Sequence, residues 1–166
     1  MFLDQDYFPF LKKDLKDHLF LKIIAGLGAA FLLYIVFFLG NQISRYIFDF
    51  AGRNINAVYS FKGEAATIRI VMLMALIIGP GEELFWRCFL QRRLSVHLGD
   101  WSGFIVSSCL YAGVHLASGN IMLFLAALFC GIYWGFLFHK YHSPVINVVS
   151  HTVWDIAVFI IFPFAS

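Results

Sequence analysis

Glu82 and Glu83 stand side by side in an apolar run, with Arg87 close behind them: Gly79-Pro80-Gly81-Glu82-Glu83-Leu84-Phe85-Trp86-Arg87. His115 lies in a second apolar stretch, and His151 and Asp155 lie in a third. Carboxylates and imidazoles are the side chains that most readily move protons near neutral pH. An ionised group at the centre of a bilayer costs about 3 kcal/mol or more, so such groups are rare there and usually have a task. The chemistry open to this set is hydrolysis: a carboxylate takes a proton from water, while imidazole N–H groups hold charge developing on a carbonyl oxygen.

Spacing narrows the parts. Adjacent helical residues project about 100° apart, so only one of Glu82 and Glu83 faces a given pocket. Glu83 and Arg87 are spaced i,i+4, in the favourable order for a carboxylate–guanidinium pair. The natural division turns Glu82 to the reacting centre and leaves Glu83 held by Arg87; the swapped arrangement stays open. His151 and Asp155, also i,i+4, share a helix face, where Asp155 either orients His151 or, protonated, donates to it. The plainer readings are a structural ion pair for the glutamates and interhelical hydrogen bonds for the histidines. Zinc is the obvious competitor, with Glu82, His115 and His151 as its ligands. No His-Glu-x-x-His motif or other diagnostic spacing is present, so no cofactor is expected, with zinc kept as the alternative.

The elements that must bring these residues together are helices in lipid. Of 166 residues, 61% are hydrophobic and 13% charged, where about a quarter is usual in soluble proteins. The mean hydropathy is +0.80. The expected fold is an all-α polytopic membrane bundle forming a single membrane domain over residues 1–166. Backbone groups in lipid must be satisfied internally, and no alternating ten-residue segments suggest a barrel. About five spans of the roughly 20 residues that cross a bilayer can be placed, near 19–39, 65–90, 101–117, 121–138 and 144–164. Gly79-Pro80-Gly81 interrupts the second, and Pro80 predicts a kinked or broken helix there. A break would leave Glu82 and Glu83 at a new helix N-terminus. Arg92 and Arg93 are expected to end that span at a water interface.

Residues 1–18 mix aromatic and charged side chains and read as an amphipathic segment at the interface, with Lys22 snorkelling just beyond. Residues 40–64, with Lys62 and Glu64 near their end, read as a polar connection lying partly on the membrane surface. No cleavable signal peptide is expected. Lys12, Lys13, Lys16, Lys22, Arg92, Arg93 and Lys140 outnumber Arg45, Arg53 and Lys62, which puts the N-terminus inside. The dispersed positive charge leaves no nucleic-acid footprint. Cys88, Cys109 and Cys130 are an odd set in apolar stretches and read as packing residues. The four tryptophans, Trp134 among them, read as packing or interface anchors, and His18, His97, His139 and His142 as surface residues.

Three motifs follow in order on successive apolar segments: Glu82-Glu83-x-x-x-Arg87, Tyr111-x-x-x-His115 and His151-x-x-x-Asp155. Over residues 65–160 the chain resembles the family of CAAX prenyl endopeptidases and bacteriocin-processing or immunity proteins, the CPBP or ABI family. The resemblance implies a glutamic-type intramembrane protease in a bacterial cytoplasmic membrane. Its substrate would be a membrane-associated peptide or protein: a leader peptide, a C-terminal sorting tail or a CAAX-like tail. In that picture Glu82 is the general base, His115 helps to activate water, His151 and Asp155 bind the oxyanion, and Arg87 supports the glutamates. The older metalloprotease view makes the same residues zinc ligands. Two positions depart from the pattern: Tyr111 replaces a more usual Phe, and Asp155 stands where prenyl endopeptidases carry Asn. An ionised Asp155 would repel an oxyanion, so it is either protonated or orients His151. The readings from other classes are a non-proteolytic immunity or peptide-binding protein, and a proton or metal carrier.

Overall fold

The computed structural model describes residues 6–60 and 67–164. Lys62, Glu64 and the expected start of the second span near residue 65 lie outside these. Among the described residues there are helices and no strands, which the requirement for internal backbone pairing in lipid explains.

Helix α1 (Tyr7–Lys16) is short and amphipathic, with Phe8 and Leu15 exposed. It is also docked on the bundle. Tyr7 donates its hydroxyl to the Leu84 carbonyl at 3.2 Å, and the buried Asp14 accepts from the Ser143 hydroxyl at 3.0 Å and the Val145 amide at 2.8 Å. Lys22, expected to snorkel, is ion-paired to this carboxylate. Its Nζ lies 2.7 Å from the Asp14 carboxylate, because burying Asp14 calls for a compensating cation.

Helix α2 runs from Leu19 to Ile47, eight residues past the expected end. Asn41, Ser44 and Arg45 extend it because their side chains satisfy one another along the helix: Arg45 donates to Asn41 Oδ1 at 2.9 Å and Ser44 to the Asn41 carbonyl at 3.1 Å. Helix α3 (Ala51–Ser60) occupies the expected polar connection.

The second expected span is a composite. It comprises α4 (Thr67–Leu73), a π-helical stretch (Met74–Ile78), α5 (Gly79–Glu83), a second π-helical stretch (Leu84–Gln91) and α6 (Arg92–Leu98). Pro80 does not break it. The backbone stays right-handed through Ile78, Gly79, Glu83 and Leu84, and the Gly79 amide reaches back to the Met74 carbonyl. The wide turns absorb the donor and space that proline removes, so the glutamates stand inside a distorted helix, not at a fresh N-terminus. Arg92 and Arg93 do not end the helix either; the half-buried Arg92 lies over the Phe10 ring at 5.0 Å.

Helix α7 (Asp100–His115) closes with a 3₁₀ turn, and Gly119 in the left-handed region (φ 64°) leads to α8 (Ile121–Tyr141). Asn120 caps α8 by accepting from the Met122 and Leu123 amides. Ser143 caps α9 (Pro144–Ile156) and Pro144 sits in its first turn, as the sequence suggests. A π-helical stretch, Ala157–Ile161, extends α9.

Among the described residues, three helices are long and apolar enough to cross a membrane: Leu19–Ile47, Ile121–Tyr141 and Pro144–Ile161. The other two expected spans are the composite helix, divided by its π-helical stretches, and α7, which has 16 residues. The bundle core joins α2, α7, α8 and α9 through Ala30, Leu33, Tyr111, Ala127, Cys130, Trp134, Trp154 and Val158. Close packing, more than water exclusion, holds helices together in lipid. Small residues permit it: a Cβ at Gly26 of α2 would stand 2.7 Å from Val149 Cβ on α9.

Candidate active site

The site forms where α5, α7, α8 and α9 meet. Gly79 brings α5 against α9, because a Cβ there would collide with the Thr152 hydroxyl and come within 3.2 Å of its Cα. The sequence marks Gly79 as a helix disrupter; its task in the fold is this close approach. One turn further on, Glu82 and Glu83 reach α9 at the level of His151.

The two glutamates part company there. Glu83 is fully buried. Its Oε1 accepts from His151 Nδ1 at 2.7 Å and its Oε2 from Asn147 Nδ2 at 2.9 Å. Arg87 Nη1 stands 3.3 Å from the same Oε1, the expected i,i+4 ion pair. Arg87 is itself buried: Nη2 donates to the Gly131 carbonyl at 3.4 Å and the guanidinium lies over the Tyr111 ring at 4.6 Å. A buried ion pair needs such extra partners to offset desolvation.

Glu82 turns the other way, with a third of its side chain accessible. It lines a cavity of about 540 Å³ together with Tyr111, His115, Trp134, His151 and Asp155. The rest of the wall is mainly apolar and aromatic, from α2, α3, the first π-helical stretch and α8. Glu82 Oε2 accepts from the Tyr111 hydroxyl at 3.0 Å and lies 4.0 Å from His151 Nε2.

His151 is pinned on three sides. Its Nδ1 faces Glu83, its ring stacks on Trp134 with centroids 3.7 Å apart, and its Nε2 points between Asp155 Oδ2 at 3.5 Å and Glu82. With a carboxylate at Nδ1, that nitrogen carries the proton. The sequence reading had Asp155 on the same helix either orient His151 or, protonated, donate to it; the structure adds Glu83 from α5 as a hydrogen-bond acceptor. His115, half-buried, lines the same cavity, and its Nδ1 donates to the Tyr111 carbonyl at 2.8 Å. That fixes the tautomer and leaves Nε2 with a lone pair. Among the described residues no direct hydrogen bond joins His115 to Glu82; both line the cavity, and Tyr111 bonds to each.

All six residues singled out from the sequence thus meet at one place: Glu82, His115, His151 and Asp155 on the cavity, Glu83 and Arg87 behind it. Sequence reasoning missed Asn147, fully buried and bonded to both Glu83 and the Trp134 carbonyl at 2.9 Å. Asn147 lies one turn before His151 on the face shared with Asp155, which is the signal that could have found it. Trp134 packs in the core as read, and there it is also the floor under His151, its Nε1 held by Ser150 at 3.2 Å. The spacing Gly131-x-x-x-Gly135, a small-residue helix face, went unread. It admits α7, and its bared carbonyls accept from Arg87 and Ser108 at Gly131 and from Gln91 at Gly135. Among the described residues no three His, Cys, Asp or Glu side chains are grouped so as to hold a metal ion.

The profile of the type II CAAX prenyl endopeptidase Rce1-like family matches residues 64–157. The chain belongs to this family. The matched stretch contains every one of the six residues, from the two glutamates through Asp155. No curated protein and no solved structure matches the chain. Family membership and the three apolar helices identify an integral membrane protein of the CAAX-type intramembrane endopeptidases, a hydrolase acting on a membrane-associated peptide.

Proposed function

We propose that this protein hydrolyses a peptide bond of a membrane-associated substrate with water activated by Glu82 and His115, without a metal. The observation that carries the proposal is the single cavity walled by Glu82, His115, His151 and Asp155, with Glu83 buried behind His151. Among the described residues Glu82 Oε1 has no hydrogen-bond donor; Glu82 takes the proton of a water molecule as the water oxygen bonds to the scissile carbonyl carbon. His115 presents its Nε2 lone pair to the same water. The carbonyl oxygen becomes an oxyanion and accepts from His151 Nε2–H, whose charge the Glu83 carboxylate balances through Nδ1. Asp155 holds the other edge of the His151 ring. The proton on Glu82 passes to the leaving amine as the carbon–nitrogen bond breaks, which returns the site to its starting state.

The apolar wall suits a segment of substrate drawn from lipid, such as a leader peptide, a C-terminal sorting tail or a CAAX-like tail. The excess of Lys and Arg on one set of connections supports a cytoplasmic N-terminus in a bacterial cytoplasmic membrane. Purified protein in proteoliposomes tests the reading with a fluorescent membrane-tail reporter. Cleavage that is lost in Glu82→Gln and in His115→Ala is expected. Cleavage by both at the parent rate would remove the assignment. A reporter that binds without being cut would favour the peptide-binding alternative.

A further inference from the structure

Tyr111 stands between the two halves of the proposed water-activating pair. Its hydroxyl donates to Glu82 Oε2 at 3.0 Å, and its backbone carbonyl accepts from His115 Nδ1 at 2.8 Å. Among the described residues, the Tyr111 hydroxyl is the one hydrogen-bond donor to Glu82. Glu83, by contrast, has His151 and Asn147. Without the hydroxyl, nothing would choose between Glu82 rotamers that place a carboxylate oxygen at the water and rotamers that swing it away.

The tyrosine is itself immobilised. It is 4% exposed, and Arg87 lies over its ring at 4.6 Å. Trp86 meets it edge-on at 5.4 Å, and the His115 ring is 5.0 Å away. These contacts use the ring face and edge, and they leave the hydroxyl no task except Glu82. A buried hydroxyl with one partner is a fixed donor.

We infer that Tyr111 is a positioning residue that sets Glu82 and His115 in register, through its hydroxyl for the one and its carbonyl for the other. The inference rests on Glu82 being the base. A phenylalanine at this position would hold His115 equally well and let Glu82 go. Because the hydroxyl acts on the base, its loss is read in kcat, with KM left near the parent value.

The test is Tyr111→Phe in proteoliposomes with the reporter substrate, beside Glu82→Gln and the double variant. Tyr111→Phe keeps the ring and is expected to melt with the parent, to lose about 10- to 100-fold in kcat and to keep KM within about twofold. In the Glu82→Gln background the same change is expected to cost nothing further, since residues acting as a unit are not additive. A Tyr111→Phe enzyme with parental kcat while Glu82→Gln is dead would overturn the inference and leave the base assignment standing. Equal losses from Tyr111→Phe in both backgrounds would overturn it too, by showing that the hydroxyl acts elsewhere. If Glu82→Gln cleaves at the parent rate, the base assignment falls, and this inference with it.

Discussion

Glu82 and Glu83 are neighbours in the chain and opposites in the fold. Glu83 is sealed in, with two hydrogen-bond donors and a guanidinium around one carboxylate. Among the described residues Glu82 has one donor, the Tyr111 hydroxyl, and an open side towards the cavity. The roughly 100° between adjacent helical side chains is enough to make one a strut and the other a tool. A saturated carboxylate has no lone pair to offer a water, whereas an under-satisfied one at a cavity wall does. Partner count and access, not identity, separate the two.

The sharpest way to break that contrast is to exchange the treatment of the pair. Glu83→Ala strands Arg87 as a buried, uncompensated cation and should destabilise the fold by about 3–5 kcal/mol, seen as a collapse of the melting transition in detergent. A protein that tolerates Glu83→Ala with an unchanged transition would deny Glu83 its structural part. Next in size is Asn147→Ala, which leaves Glu83 Oε2 and the Trp134 carbonyl without their donor. A loss of about 1–3 kcal/mol is expected by the same melt. Trp134→Phe keeps a ring under His151 but removes the Nε1–Ser150 hydrogen bond. It should cost about 1 kcal/mol and leave turnover near the parent rate. Smallest is metal removal: incubation with a strong chelator is expected to leave reporter cleavage unchanged, and activity that vanishes and returns with zinc would reverse the metal-free assignment.

Much of this contrast was legible in the residues. The i,i+4 spacing of Glu83 and Arg87 named the pair, while the helix angle said only that one of Glu82 and Glu83 faces the pocket and left the swapped arrangement open. The starts of α8 and α9, expected near 121 and 144, match Ile121 and Pro144, because the caps that set them act over a few residues of chain. What escaped involved tertiary partners. The hydrogen bond from His151 to Glu83 spans 68 residues of sequence, and no local spacing announces it. Asp14 looked like one charge of an interfacial helix until Lys22 and the α9 cap closed around it. Pro80 was read as a kink or a break because its cost is local. The wide π-helical turns on either side, which let the helix carry on, depend on how α5 seats against α9. The end of α2 was misplaced for a related reason: Arg45 and its neighbours look like loop composition, yet bond one another along the helix.

The central claim is that Glu82, not Glu83, is the group that takes the proton. It is tested most directly by measuring reporter cleavage and thermal stability of Glu82→Gln on one preparation. A fall of about 10²- to 10⁴-fold in turnover is expected, the usual share of a general base. The melt should stay within about 0.5 kcal/mol of the parent. Turnover at the parent rate by a folded Glu82→Gln protein would contradict it.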